Sequence, residues 1–100
     1  MSGPGFLAVY RWSIAAGHED AFEAWWREGT ESLKAYGSFG SSLVREADGR
    51  YLGVALWPDA ETRKIGFAAR AERDPAPAAI DFEEVGSGAI LAMLWSGLTD

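Results

Sequence analysis

The sequence contains no cysteine, no asparagine and a single histidine, His18, among its 100 residues. Without cysteine, disulfides and thiolate metal sites are excluded. With one histidine, a first-row metal site would have to gather carboxylates from separate places. No ligand spacing of that kind is present, so no metal is expected. Positive charge is also scarce: nine basic residues stand against 15 acidic ones, giving a net charge of −6. The cations Arg11, Arg27, Arg45, Arg50, Arg63, Lys64, Arg70 and Arg73 are scattered along the chain. They form no patch of the kind a phosphate backbone requires, so neither nucleic acid nor an anionic membrane is an expected partner. No stretch approaches the roughly 20 apolar residues of a membrane span. The start MSGPGFLAVYRW has an early Pro-Gly and no basic segment, unlike a signal peptide, and a cytoplasmic protein is expected. There is no G-x-S-x-G elbow, and neither Gly3-Pro4-Gly5 nor Gly86-Ser87-Gly88 opens a clear phosphate cradle.

What the chain has in abundance is apolar surface. Hydrophobic residues make up 48% and aromatics 13%, with five tryptophans. One domain spanning residues 1–100 is expected. A domain this small buries only roughly 60–65% of its unfolded surface, so one thin core does not absorb all of this material. A dimer interface would use the excess.

Residues 5–14, GFLAVYRWSI, read as a strand with apolar residues on both faces. From His18 to about Tyr36 the pattern is helical. Stepping about 100° per residue from Phe22 puts Trp25 at about −60°, Trp26 at about +40° and Gly29 at about −20°. Both tryptophans of HEDAFEAWWREG therefore edge one apolar stripe centred on Phe22. Residues 38–46 and 50–57 read as strands joined by a turn at Asp48-Gly49. Pro58 ends the second of these, and Asp59 is placed to cap a helix running to about Glu72. Residues 73–79 are a Pro/Ala loop, 80–85 are expected to form a short helical turn, and 89–98, AILAMLWSGL, the last strand.

The order β-α-β-β-α-β predicts an α+β, ferredoxin-like fold with a four-stranded antiparallel sheet and both helices on one face. The other face, apolar as well, is expected to pack against a second copy in a homodimer. The segments VYRWSIAAGHEDAFEAWW, GSFGSSLVREADGRYLGVALWPDAE and AILAMLWSGLTD resemble the antibiotic biosynthesis monooxygenase-like family of dimeric α+β barrels, over about residues 6 to 98. The resemblance implies a substrate held between helices and sheet, with Trp57 at the end of the third strand helping to line the cavity. It also implies cofactor-independent oxygenation of a phenolic, quinol or other aromatic compound. The haem-degrading branch of that family uses an Asn on the first strand and a His on the second helix. Here Tyr10 occupies the first position and no His follows Trp57, so haem degradation is not expected, and axial ligation would fall to His18 alone.

The expected catalytic residues are His18, Trp57 and Tyr10, with Phe22, Trp25, Trp26, Gly29 and Trp12 binding the substrate and no cofactor. Each has a plainer alternative. Trp25 and Trp26 fill the core or wall a pocket. His18 starts the helix, or accepts a proton at a pocket mouth with its ordinary pKa near 6.5. Gly29, which costs about 1 kcal/mol in mid-helix relative to alanine, lets the helix approach the sheet closely or leaves a hollow. Arg11 and Arg45 pair with carboxylates or hold an anionic oxygen. The competing functional reading is a non-catalytic dimer that binds a hydrophobic small molecule.

Overall fold

The Asp48-Gly49 pair closes its hairpin as its sequence predicts: Gly49 takes φ +92°, and the Glu46 N–H donates to the Arg50 carbonyl at 2.7 Å. The computed structural model describes residues 4–70 and 72–94. Its elements are β1 (Phe6–Ile14), α1 (Glu19–Lys34), β2 (Gly40–Arg45), β3 (Tyr51–Trp57), α2 (Ala60–Ala69) and β4 (Ala79–Ala89). The strands form one antiparallel sheet in the order β2-β3-β1-β4, which is the ferredoxin-like arrangement.

The register sets the two faces. Tyr10 opposes Gly53, and Trp12 opposes Tyr51. Alternate residues of β3 are buried, so Tyr51, Gly53, Ala55 and Trp57 lie under the helices while Leu52, Val54 and Leu56 turn away. Phe22 of α1 packs on Trp12 and Tyr51, at ring distances of 5.3 and 4.6 Å. Trp57 is buried beneath α2, where a Cβ on Gly66 would stand 3.1 Å from its indole. Asp59 caps α2 by accepting from the Thr62 N–H at 2.7 Å. On the uncovered face Arg11 donates to Glu46 at 2.7 Å and to Glu83 at 3.4 Å, and Arg45 on the helix side lies 3.9 Å from Glu19.

The C-terminal third differs from expectation. Residues 80–85 are not a helical turn; they belong to β4, and residues 90–94, expected in the last strand, carry no strand. The remainder of that expected strand, 95–98, lies outside the described residues. The reason is visible in the pairing of β4 with β1, which shifts register between Val9 and Tyr10 and again between Ser13 and Ile14. Each bulge inserts one residue and breaks the period-2 alternation that marks a strand. Cross-strand ion pairs hold the element instead, with Glu83 directly opposite Arg11. The helices also end sooner than expected, α1 at Lys34 and α2 at Ala69. Among the described residues no helix is long and apolar enough to cross a membrane.

Candidate functional site

Gly53 sits on β3 where a Cβ would come 2.9 Å from the Trp12 ring and 3.4 Å from Trp26 Nε1. Its missing side chain lets two indoles approach the sheet without filling the space between sheet and helices. A cavity of about 400 Å³ results, within the range of roughly 300–1,000 Å³ typical of small-molecule sites. Its floor is Tyr10, Trp12, Gly53, Ala55 and Trp57 from the sheet. Its upper wall is Trp25, Trp26, Gly29 and Leu33 of α1, and Phe67 of α2 with Phe82 of β4 complete the apolar lining.

Three of the five tryptophans meet near α1. Trp12 lies edge-on to Trp25 at 6.4 Å, and Phe82 packs 5.5 Å from Trp12. Trp25 anchors itself by donating from Nε1 to the Asp74 carbonyl at 2.8 Å. The two adjacent tryptophans are half-buried and border the cavity, so they do not close the core over it. The closed core lies beside them, where Phe22 is fully buried against Trp12 and Tyr51.

The polar groups are few and mostly placed by arginines. Arg63 of α2 donates to the Tyr10 hydroxyl oxygen through Nε at 3.1 Å and Nη2 at 2.5 Å. Its Nη2 also reaches Glu84 at 2.7 Å. A phenol oxygen that accepts two N–H bonds still has its own proton to donate. Burial pushes the Tyr10 phenol above its ordinary value, although the Arg63 hydrogen bond and charge pull the other way. Tyr10 is therefore a neutral hydrogen-bond donor at physiological pH. Arg70 and Arg73, which border the cavity from the end of α2 and the loop after it, donate to the Gly29 carbonyl at 3.3 Å and the Trp25 carbonyl at 2.7 Å. Gly29 makes room for this: a Cβ there would collide with the Arg73 guanidinium.

Of the residues the sequence singled out, the structure brings Tyr10, Trp12, Trp25, Trp26, Gly29 and Trp57 to one cavity. Two stand elsewhere. Phe22 is core and lines nothing. His18 is exposed at the N-cap of α1, outside the cavity lining, and its side chain makes no cap bond. Stepping back from Phe22 at about 100° per residue would put His18 at about −40°, near Trp25, only if the helix already included it. The helix starts at Glu19, and His18 (φ −114°, ψ 16°) departs from helical geometry. Sequence reasoning missed Arg63, Arg70 and Arg73. A signal existed for the first two, since Arg63, Phe67 and Arg70 fall at i, i+4 and i+7 and share one face of α2. Among the described residues no cluster of His, Cys, Asp and Glu is arranged to hold a metal ion.

No protein-family profile matches the sequence, and no curated protein matches it. Solved structures do. The haem degrader MhuD from Mycobacterium tuberculosis, with two haems bound in its active site, superposes with a TM-score of 0.68 at 18% identity, covering 90% of this chain and 99% of that one. A mutant of MhuD with two manganese protoporphyrin IX molecules per active site gives 0.71 at 18% identity, over 91% of this chain and 99% of that chain. SnoaB, a cofactor-independent oxygenase from Streptomyces nogalater, gives 0.70 at 17%, over 92% of this chain and 98% of that chain. The chain thus shares the ferredoxin-like fold of these structures, the fold its sequence resemblance implied.

Proposed function

We propose that the cavity binds a flat aromatic compound and that the protein oxygenates it with O₂, without a cofactor. The observation that carries this reading is the aromatic-walled cavity bordered by Tyr10, whose hydroxyl is held by Arg63. In such a reaction a phenolate substrate gives one electron to O₂. The resulting radical and superoxide combine to form a carbon–oxygen bond, the peroxide anion takes a proton from water, and the hydroperoxide loses water together with the hydrogen of that ring carbon to leave a quinone and one hydroxide. Tyr10 would donate its proton's hydrogen bond to the anionic oxygen of the substrate. The nearby Arg63 cation would strengthen that bond. Trp57 and Trp12 would hold the ring flat against the sheet.

Among the described residues no histidine or carboxylate borders the cavity. The substrate would therefore enter already ionised, and His18 would have no part in the chemistry. The fold neighbour SnoaB, described as a cofactor-independent oxygenase, supports the reading. Oxygen uptake with a panel of phenols and quinols, in metal-free buffer, tests it. Tyr10→Phe should lower kcat at least about tenfold, the loss expected for one charge-assisted donor, while His18→Ala leaves the rate unchanged. No uptake with any panel member, alongside ligand-dependent quenching of tryptophan fluorescence, would instead establish the second reading, a binding module without chemistry.

The same proposal extends to the assembly. Among the described residues the sheet face bearing Leu52, Val54 and Leu56 has no helix of its own, and we place a second copy of the chain against it.

A further inference from the structure

Among the described residues, Arg70 and Arg73 are the only formally charged side chains bordering the cavity. In a chain of net charge −6, with 15 acidic residues, that is a segregation of charge. Among the described residues neither guanidinium is neutralised by a buried carboxylate. Among the described residues Arg70 makes no ion pair, and Arg73 approaches one carboxylate, Glu28, at 3.5 Å. The Glu28 side chain is 84% exposed, and a pair of that kind is worth little in water. Burial and the neighbouring Arg73 charge both press the Arg70 guanidinium below its ordinary value, and the two like charges share this corner with only the exposed Glu28 carboxylate near Arg73.

Both groups are also held in place before any ligand arrives. Arg73 lies over the Trp25 ring at 4.4 Å and donates to the Trp25 carbonyl. Arg70 lies 5.3 Å from the Phe67 ring centre and donates to the Gly29 carbonyl. Each carbonyl bond uses one of the five donors of a guanidinium. What remains is a set of fixed N–H groups bordering an aromatic cavity, the geometry suited to a planar anion.

We propose that Arg70 and Arg73 form a carboxylate-recognising subsite in the cavity wall, which makes the ligand a flat aromatic acid. This rests on the cavity being a binding site, as argued above. The aromatic walls hold the ring system, and the guanidinium pair holds its carboxylate. Gly29 belongs to the subsite as the position that leaves room for Arg73.

The test uses two near-isosteric probes, anthracene-2-carboxylate and anthracene-2-carboxamide, titrated into the full-length protein and followed by quenching of tryptophan fluorescence. The wild type should bind the acid at least about tenfold more tightly than the amide at low salt, since charge-assisted bonds are about twice as strong as neutral ones. The margin should shrink as salt rises. Arg70→Gln and Arg73→Gln should each reduce the preference and together abolish it, with affinity for the amide retained. Retained amide binding and an unchanged near-UV circular dichroism spectrum would show that the fold is intact. Gly29→Ala, which keeps both charges but displaces Arg73, should also weaken the preference. Equal binding of acid and amide by the wild type, or a preference that survives in the double variant, would overturn the subsite while leaving the cavity reading in place. Failure of both probes to bind the wild type would overturn the cavity reading and the subsite with it.

Discussion

Phe22 and Trp25 stand three positions apart on one helix stripe and meet different fates. Phe22 is wholly enclosed by Trp12 and Tyr51, whereas Trp25 is half-buried and borders open space. The difference comes from what each meets on the sheet. Below Phe22 lie two large rings, and beyond Trp25 and Trp26 lie Gly53 and Ala55, too small to fill the gap. Truncating Phe22 should therefore remove stability. Phe22→Ala is expected to cost about 3–5 kcal/mol, as for other buried aromatic truncations, read from the midpoint shift in urea. Since small domains have only about 5–15 kcal/mol to lose, this variant should be the most damaging of the stripe. A cost below about 1 kcal/mol would mean that the Phe22 site collapses freely and is not packed as described. The sequence showed that these residues share a stripe because helical periodicity is a local property. It did not show which ones border a cavity, because that depends on Gly53, which lies 28 positions beyond Trp25 and meets the stripe only through the sheet. His18 shows the opposite failure. Helical periodicity extends to His18 in the sequence, but one residue of helix start separates a stripe position from a solvent-exposed cap.

At the scale of elements, α2 is the least self-evident helix and the one that most depends on its cap. It is ten residues long, buries only Gly66 and carries no basic residue in its last turn. Short helices are marginal without packing or capping, and Asp59 supplies the cap. The Thr62 backbone N–H, more than the Thr62 side chain, holds the Asp59 carboxyl below its ordinary value. A carboxyl depressed in the folded state stabilises that state above the unfolded pKa, near 3.9. The contribution fades as pH falls through the folded value. Asp59→Asn keeps an acceptor at the N-cap but does not titrate. The melting temperature of the wild type should thus exceed that of Asp59→Asn at pH 7, with the gap narrowing as the pH is lowered to 3. A gap of equal size at both values would show that the cap's charge plays no part. The cap was legible in the sequence because Pro58-Asp59 announces it within two residues. Strand β4 was not, because its two bulges erase alternation and its register is fixed by Arg11 and Arg63, each remote in sequence from the glutamates they meet. The arginines of the cavity were missed for a related reason. A list of cations along the chain reads as scattered, and only their placement on one face of α2 and the loop beyond it gathers them.

For the whole molecule, the distribution of apolar surface is the fact that most needs an explanation. Beyond the half-buried Leu52, Val54 and Leu56 on the uncovered face, Val44 and Val85 are exposed at the sheet's flanks. Ile80 is 72% exposed, and Leu91 and Leu94 after β4 are 96% and 90% exposed. Single exposed apolar residues are ordinary, but an apolar strand face such as Leu52, Val54 and Leu56 left uncovered suits an interaction surface. A second copy would cover them symmetrically, the same face meeting itself about a twofold axis. Arg11 would then lie near that interface with its charge already matched by Glu46 and Glu83, so burial would not strand a cation. Val54, opposite Val9 and Ser42 in the register, sits centrally on this face. In sedimentation velocity the wild type should run at twice the 10.8 kDa chain mass, and Val54→Asp should shift it toward the single-chain mass. Because the cavity lies on the other side of the sheet, a monomeric Val54→Asp that keeps its fold should still show ligand-dependent tryptophan quenching. A wild type that sediments as a single chain at micromolar concentration would remove the dimer from the proposal and leave the uncovered face to some other partner.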